Sequence, residues 1–160
     1  MFYRFLSLVF KIFVYRGYYK QYKLPSGFRF NGFLIRINGS GSINVGKNCY
    51  ISFYSYINIP SGTVLEIGDD VSIGHNVKIY TSTIQTSDFI LNGVKSQKNS
   101  NVSIGSNVLI GANVFICPGV NIGNNVLIGA NSVVSKSIPS NTVAAGCPAV
   151  VIKDYNVAVI

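Results

Sequence analysis

A chain of 160 residues with 48% hydrophobic and only 11% charged positions is long enough for one domain and a small appendage, and its net charge is +8. Its apolar content forms neither an uninterrupted membrane-length run nor a heptad, which excludes a transmembrane helix and a coiled coil. Seven of the 13 basic residues (Arg4, Lys11, Arg16, Lys20, Lys23, Arg29 and Arg36) fall in the first 36 positions without one acidic neighbour, whereas the remaining 124 carry six basic and five acidic residues and are nearly neutral.

Residues 1–27 form this basic arm, which also holds Phe2, Tyr3, Phe5, Phe10, Phe13, Tyr15, Tyr18, Tyr19 and Tyr22. A helix over residues 2–16 would gather Arg4, Ser7 and Lys11 on one narrow stripe and leave the rest apolar. The stretch is too short to span a bilayer and lacks the small-residue cleavage site of a signal peptide. Two placements remain open: residues 1–23 lie on anionic lipid at the inner face of the membrane, or they pack on the end of the next domain or on a neighbouring subunit. No nucleic-acid-binding motif accompanies the charges, so no nucleic-acid partner is expected.

Pro25, Ser26 and Gly27 break the helical pattern, and residues 28–153 form the second unit. Phe28 to Val45 alternate as strands do, loose hexapeptides start at Val45, Ile51 and Ile57, and a ten-residue interval to Ile67 places a register break at 60–65. Regular hexapeptides resume at Ile67, Ile73 and Ile79. The segment 81–101 leaves the repeat and reads as a structureless projecting loop.

From Ile104 the aliphatic position recurs at Ile110, Ile116, Ile122, Ile128 and Val134, each with a small or β-branched residue four positions on. A period of six suits neither a helix nor a hairpin. It suits a triangular coil in which each hexapeptide is one flat side, which predicts an all-β, left-handed parallel β-helix with an N-terminal amphipathic helix. Asn107, Asn113, Asn125 and Asn131 fall three residues after the aliphatic position, where a corner needs a left-handed backbone. Residues 154–160 are left as a tail. Cys49, Cys117 and Cys147 sit at repeat positions and read as small buried residues in a reducing, cytoplasmic compartment.

The runs Ile110-Gly111-Ala112-Asn113-Val114, Pro118-Gly119-Val120, Ile128-Gly129-Ala130-Asn131-Ser132-Val133-Val134 and Ala145-Gly146-Cys147-Pro148-Ala149 resemble the hexapeptide-repeat acyltransferases. They are most similar to the branch of galactoside, maltose and polysaccharide O-acetyltransferases. The resemblance implies a homotrimer with acetyl-CoA between adjacent subunits and acetyl transfer to a hydroxyl of a saccharide or lipid-linked glycan in surface polysaccharide synthesis. It places Gly111, Ala112, Gly129, Ala130, Gly146 and Pro148 along the coenzyme and Lys136 near its phosphates. Val150 stands where the family carries a basic residue, so Lys153 is the substitute.

The chain departs from the family in the loop that usually supplies the catalytic histidine, which here reads Tyr80-Thr81-Ser82-Thr83-Ile84-Gln85-Thr86-Ser87-Asp88. The remaining candidates for the base that deprotonates the hydroxyl are His75, the only histidine, and Asp88 in the loop. A catalytically silent binding trimer is the alternative. One histidine cannot build the three-histidine zinc site of a β-helical carbonic anhydrase, so no metal is expected, and no threonine ladder supports ice binding.

Overall fold

A computed structural model describes residues 2–156, with side chains from Phe5 onward except Ser7. The expectations for Arg4, Ser7 and tail residues 157–160 therefore lie outside the described residues. The strands form three parallel sheets that are the faces of a left-handed β-helix. Face 1 contains Arg29–Asn31, Tyr50–Ser52, Ser72–Ile73, Val108–Ile110, Val126–Ile128 and Thr142–Gly146, closed by the antiparallel strand Ala149–Asp154. Face 2 contains Arg36–Asn38, Tyr56–Asn58, Lys78–Tyr80, Phe115–Ile116 and Val133–Val134, and face 3 contains Ser42–Val45, Val64–Ile67, Val102–Ile104 and Asn121–Ile122.

The aliphatic positions of the repeat stack in register. Ile51, Ile73, Ile110 and Ile128 form one buried column, and Ile57, Ile79, Ile116 and Val134 another. Each such side chain contributes about 1.5–3 kcal/mol by leaving water.

The corner asparagines do more than tolerate positive φ. Asn107, Asn113, Asn125, Asn131 and Asn141 adopt φ between 56° and 60°. Their amides form ladders along the prism, Asn107 to Asn125 at 2.9 Å and Asn125 to Asn141 at 2.7 Å on one corner, and Asn76 to Asn113 at 2.9 Å and Asn113 to Asn131 at 3.0 Å on another.

The arm is helical through α1 (Phe2–Val9), a π-helical turn Phe10–Tyr15 and α2 (Arg16–Gln21). Its inner side closes the first coil. Tyr15 is 1% exposed, stacks on Phe30 at 4.3 Å, donates its hydroxyl to the Gly32 carbonyl at 3.0 Å and accepts the Ile35 N–H at 3.3 Å. Tyr22 donates to the Gly39 carbonyl at 2.6 Å and Tyr19 to that of Phe28. Of the two placements left open, packing on the coil end holds for this inner side. Phe5, Leu8, Ile12 and Phe13 remain exposed on the outer side. Among the described residues no helix is long and apolar enough to cross a membrane.

The segment expected to be a structureless loop is ordered. Ser82–Ile84 pairs antiparallel with Gln97–Asn99, and α3 (Thr86–Asn92) lies between them. The neck is tied by Ser100 N–H to the Thr81 carbonyl at 2.9 Å and by the buried hydroxyl pair Thr63–Thr81 at 2.6 Å. A seven-residue helix is too short to show a hydrophobic period, which is why its pattern stayed hidden.

Candidate active site

Going from face 1 to face 2, the chain turns through Phe53, His75, Ala112 and Ala130 in successive coils. The backbone fixes this column: Asn76 N–H donates to the Phe53 carbonyl at 2.8 Å, Asn113 N–H to the His75 carbonyl at 2.8 Å, and Asn131 N–H to the Ala112 carbonyl at 2.9 Å. Gly146 and Pro148 lie at its upper end, where the strand Thr142–Gly146 turns back through a cis Cys147–Pro148 peptide. The structure therefore brings His75 onto one corner with Gly111, Ala112, Gly129, Ala130, Gly146 and Pro148.

Close stacking accounts for glycine here as well. A Cβ on Gly111 would lie 2.6 Å from the Ala130 backbone nitrogen, so position 111 must stay bare whether or not a ligand binds. Ser55 fixes the turn before His75 by donating to the Gly74 carbonyl at 3.2 Å and accepting the Val77 N–H at 3.1 Å. The His75 imidazole is exposed and stands edge-on to Phe53, 5.4 Å between centroids at 88°. Directly above His75 in this column stand Ala112 and Ala130, beside the Asn76–Asn113–Asn131 ladder. Below His75 stands the Phe53 ring.

Three candidates lie elsewhere. Asp88 is in the first turn of α3, accepts the Ser96 hydroxyl and that of Ser87 at 3.4 Å, and its main-chain carbonyl receives the N–H groups of Gly93 and Val94. That set of bonds closes the projecting segment. Lys136 is exposed beyond the strand Val133–Val134, at the other edge of face 2. Lys153 pairs with Val143 on face 1 and places its ammonium 4.8 Å from the Tyr155 ring centroid.

A groove of about 590 Å³ between the projecting segment and face 2 is marked by no motif of the sequence. Asn58, Tyr80, Ser82, Lys95, Phe115 and Cys117 line it, and no histidine or carboxylate does. The alternate, outward positions of the face 2 hexapeptides were the available signal. Burial pushes the Cys117 thiol up, which keeps it protonated and unsuited to nucleophilic attack. Cys49 is buried as expected, but Cys117 is only half-buried and Cys147 is exposed, because it occupies the outer turn after the last coil rather than an inward position.

The bacterial transferase hexapeptide (six repeats) family matches residues 101–136. The WbbJ protein of Escherichia coli (strain K12), provisionally named a lipopolysaccharide biosynthesis O-acetyl transferase, is 34% identical over 95% of this chain and 89% of its own length. WcaF of the same strain, provisionally named a colanic acid biosynthesis acetyltransferase, is 32% identical over 79% of this chain and 76% of its own. Among solved structures, a maltose O-acetyltransferase from Clostridium difficile 630 superposes with a TM-score of 0.69 at 35% identity, covering 96% of this chain and 84% of that one. A galactoside acetyltransferase in complex with coenzyme A gives 0.64 at 29% identity, covering 92% and 80%.

Proposed function

The chain belongs to the hexapeptide-repeat acetyltransferases, and on that premise we propose that it transfers an acetyl group from acetyl-CoA to a saccharide hydroxyl in the making of a surface polysaccharide. The observation that carries this reading is the corner column. Ala130 and Ala112 leave a shallow track for an extended pantetheine arm, and the track ends at His75 against Phe53. A thioester at that end meets the one imidazole of the chain.

His75 takes the proton of the acceptor hydroxyl as its oxygen attacks the thioester carbonyl, and returns it to the departing sulfur. The acetyl ester and free coenzyme A result, with no covalent enzyme intermediate. Lys136 and Lys153 are assigned to the nucleotide phosphates. Asp88 is left as a positioning group of the projecting segment.

We place the active site between subunits of a homotrimer. His75 precedes the strand Lys78–Tyr80 and the projecting segment follows it, so one chain holds the candidate base and the 590 Å³ groove at opposite edges of face 2. A neighbour brings the two together. Phe89, Ile90, Leu91 and Val94 project from the segment exposed, as a contact with another subunit requires. The outer side of the arm, with Arg16 and Lys20 beside its exposed apolar residues, supports peripheral contact with an anionic membrane at the cytoplasmic face.

A silent binding trimer is the competing reading, favoured by the lack of a base in the groove lining. The deciding measurement is the O-acetyl content of surface polysaccharide in a deletion strain complemented with wild type or His75→Ala at equal protein level. Restoration by wild type alone supports the assignment. Restoration by neither rejects it.

A further inference from the structure

A second groove, of about 620 Å³, runs along face 2 below the first and shares Tyr80 with it. Its walls combine rings and cations. The Arg36 guanidinium lies 5.4 Å from the Tyr56 ring centroid, Tyr56 is 5.7 Å from Tyr80, and Tyr80 stacks on Phe115 at 5.1 Å and 23°. Lys78 enters beside them, its ammonium donating to the Asn76 amide oxygen at 2.8 Å. None of the five acidic residues is on this face: Glu66 is on face 3, Asp69 and Asp70 are at a corner, Asp88 is in the projecting segment and Asp154 ends the last strand. Both cations thus face the groove without a carboxylate.

The rim carries an independent mark. Where the upper coils place Asn76, Asn113 and Asn131 at the left-handed corner position, the two lowest place Leu34 at φ 58° and Tyr54 at φ 63°, both exposed and both lining the groove. The coil corner imposes that angle, at which large side chains are sterically disfavoured, so an apolar and an aromatic residue in place of asparagine at both corners set the rim of this groove apart.

We propose that this groove is a subsite for an anionic saccharide, whose apolar ring face stacks on Tyr56 and Tyr80 while Arg36 and Lys78 hold its phosphate or carboxylate. The inference rests on the acetyltransferase reading and narrows its acceptor to a charged sugar. The ring bearing the hydroxyl then extends past Tyr80 into the upper groove.

The test uses the full chain without acetyl-CoA, titrated at low salt with galactose 1-phosphate, galacturonate and galactose. At least one charged sugar should bind about tenfold tighter than galactose, and Arg36→Gln with Lys78→Gln should lose about that factor. Arg36→Lys with Lys78→Arg should retain most of it, and Lys98→Gln, on the projecting segment, should change nothing. Preference for the phosphate or for the uronate identifies which anion the acceptor carries. Equal binding of charged and neutral sugars, unchanged affinity in the double glutamine variant, or a change in that variant's sedimentation that marks the groove as a contact between copies would each overturn the proposal. Acetyl transfer assayed on the same preparations separates the two readings. Transfer without charge preference removes only the subsite, and charged-sugar binding without any transfer removes only the acetyltransferase.

Discussion

The N–H of Asn113 donates to the carbonyl of His75 at 2.8 Å while the Asn113 amide donates to Asn131 at 3.0 Å, so the residue that turns one coil also fixes the turn carrying the candidate base. Asn113→Ala removes the ladder and retains a left-handed φ of 59°, at a combined cost of about 2 kcal/mol. Asn113→Gly removes only the ladder and should cost under about 1 kcal/mol. Urea denaturation of the pair distinguishes backbone strain from amide bonding. Equal losses would show that φ is irrelevant at this corner.

His75→Ala should lower kcat for acetyl transfer by about 10²–10⁴-fold, the usual contribution of a positioned general base. Affinity for coenzyme A should be unchanged, because the alanine track above position 75 is intact. Calorimetric titration alongside steady-state kinetics checks both halves. An unaltered kcat would move the base elsewhere.

Subunit sharing makes its own prediction. His75→Ala and a groove variant such as Ser82→Trp, each inactive alone, should recover about a quarter of wild-type activity when refolded as an equal mixture, since one site in four pairs an intact corner with an intact groove in a threefold assembly. No recovery in verified mixed trimers would place the whole site within one chain.

Alkali should loosen the arm before the coil. Burial pushes the Tyr15 hydroxyl up from 10.0 to about 12, and burial also raises Tyr19 and Tyr22. A proton held more tightly in the folded state means that stability is complete below the unfolded value near pH 10 and falls as pH rises toward 12, by about 2–3 kcal/mol for Tyr15. Tyr15→Phe should flatten that dependence and, by leaving the Gly32 carbonyl and the Ile35 N–H unpaired, cost about 1–3 kcal/mol at neutral pH. Denaturant unfolding at pH 8 and pH 11 reads both effects.

The outer side of the arm should bind vesicles of mixed phosphatidylcholine and phosphatidylserine. Ile12→Ser with Phe13→Ser should abolish co-flotation without lowering thermal stability, because both side chains are exposed at 42% and 76%. Added salt should weaken wild-type binding through the charges of Arg16 and Lys20. Co-flotation unaffected by the double substitution would remove this surface from consideration.

Much of the molecule was legible from spacing. The inward positions Ile110, Ile116, Ile122 and Ile128, one per face around the coil, follow from a six-residue period, and the corner asparagines follow from the need for positive φ. The sharing of one corner by His75, Ala112 and Ala130 was only partly legible, since it depends on how many residues separate their coils. That number is 18 where the repeat is regular, but 37 between Asn76 and Asn113. The 590 Å³ groove was hidden because its walls come from outward positions of three coils and from a segment whose seven-residue helix shows no period.

The sequence by itself determined the coil, its corners, the small-residue track and the scarcity of candidate bases, because a local repeat dictates which side chain turns inward at each step. Tertiary structure alone decided that Tyr15 closes the base of the prism, that Asp88 ties the projecting segment to Ser96, and that Tyr56, Tyr80 and Phe115 form one row of contacting rings. These relations join residues of separate coils, or of the two ends of the projecting segment, through coil register and hydroxyl bonds, and no local pattern encodes such pairings.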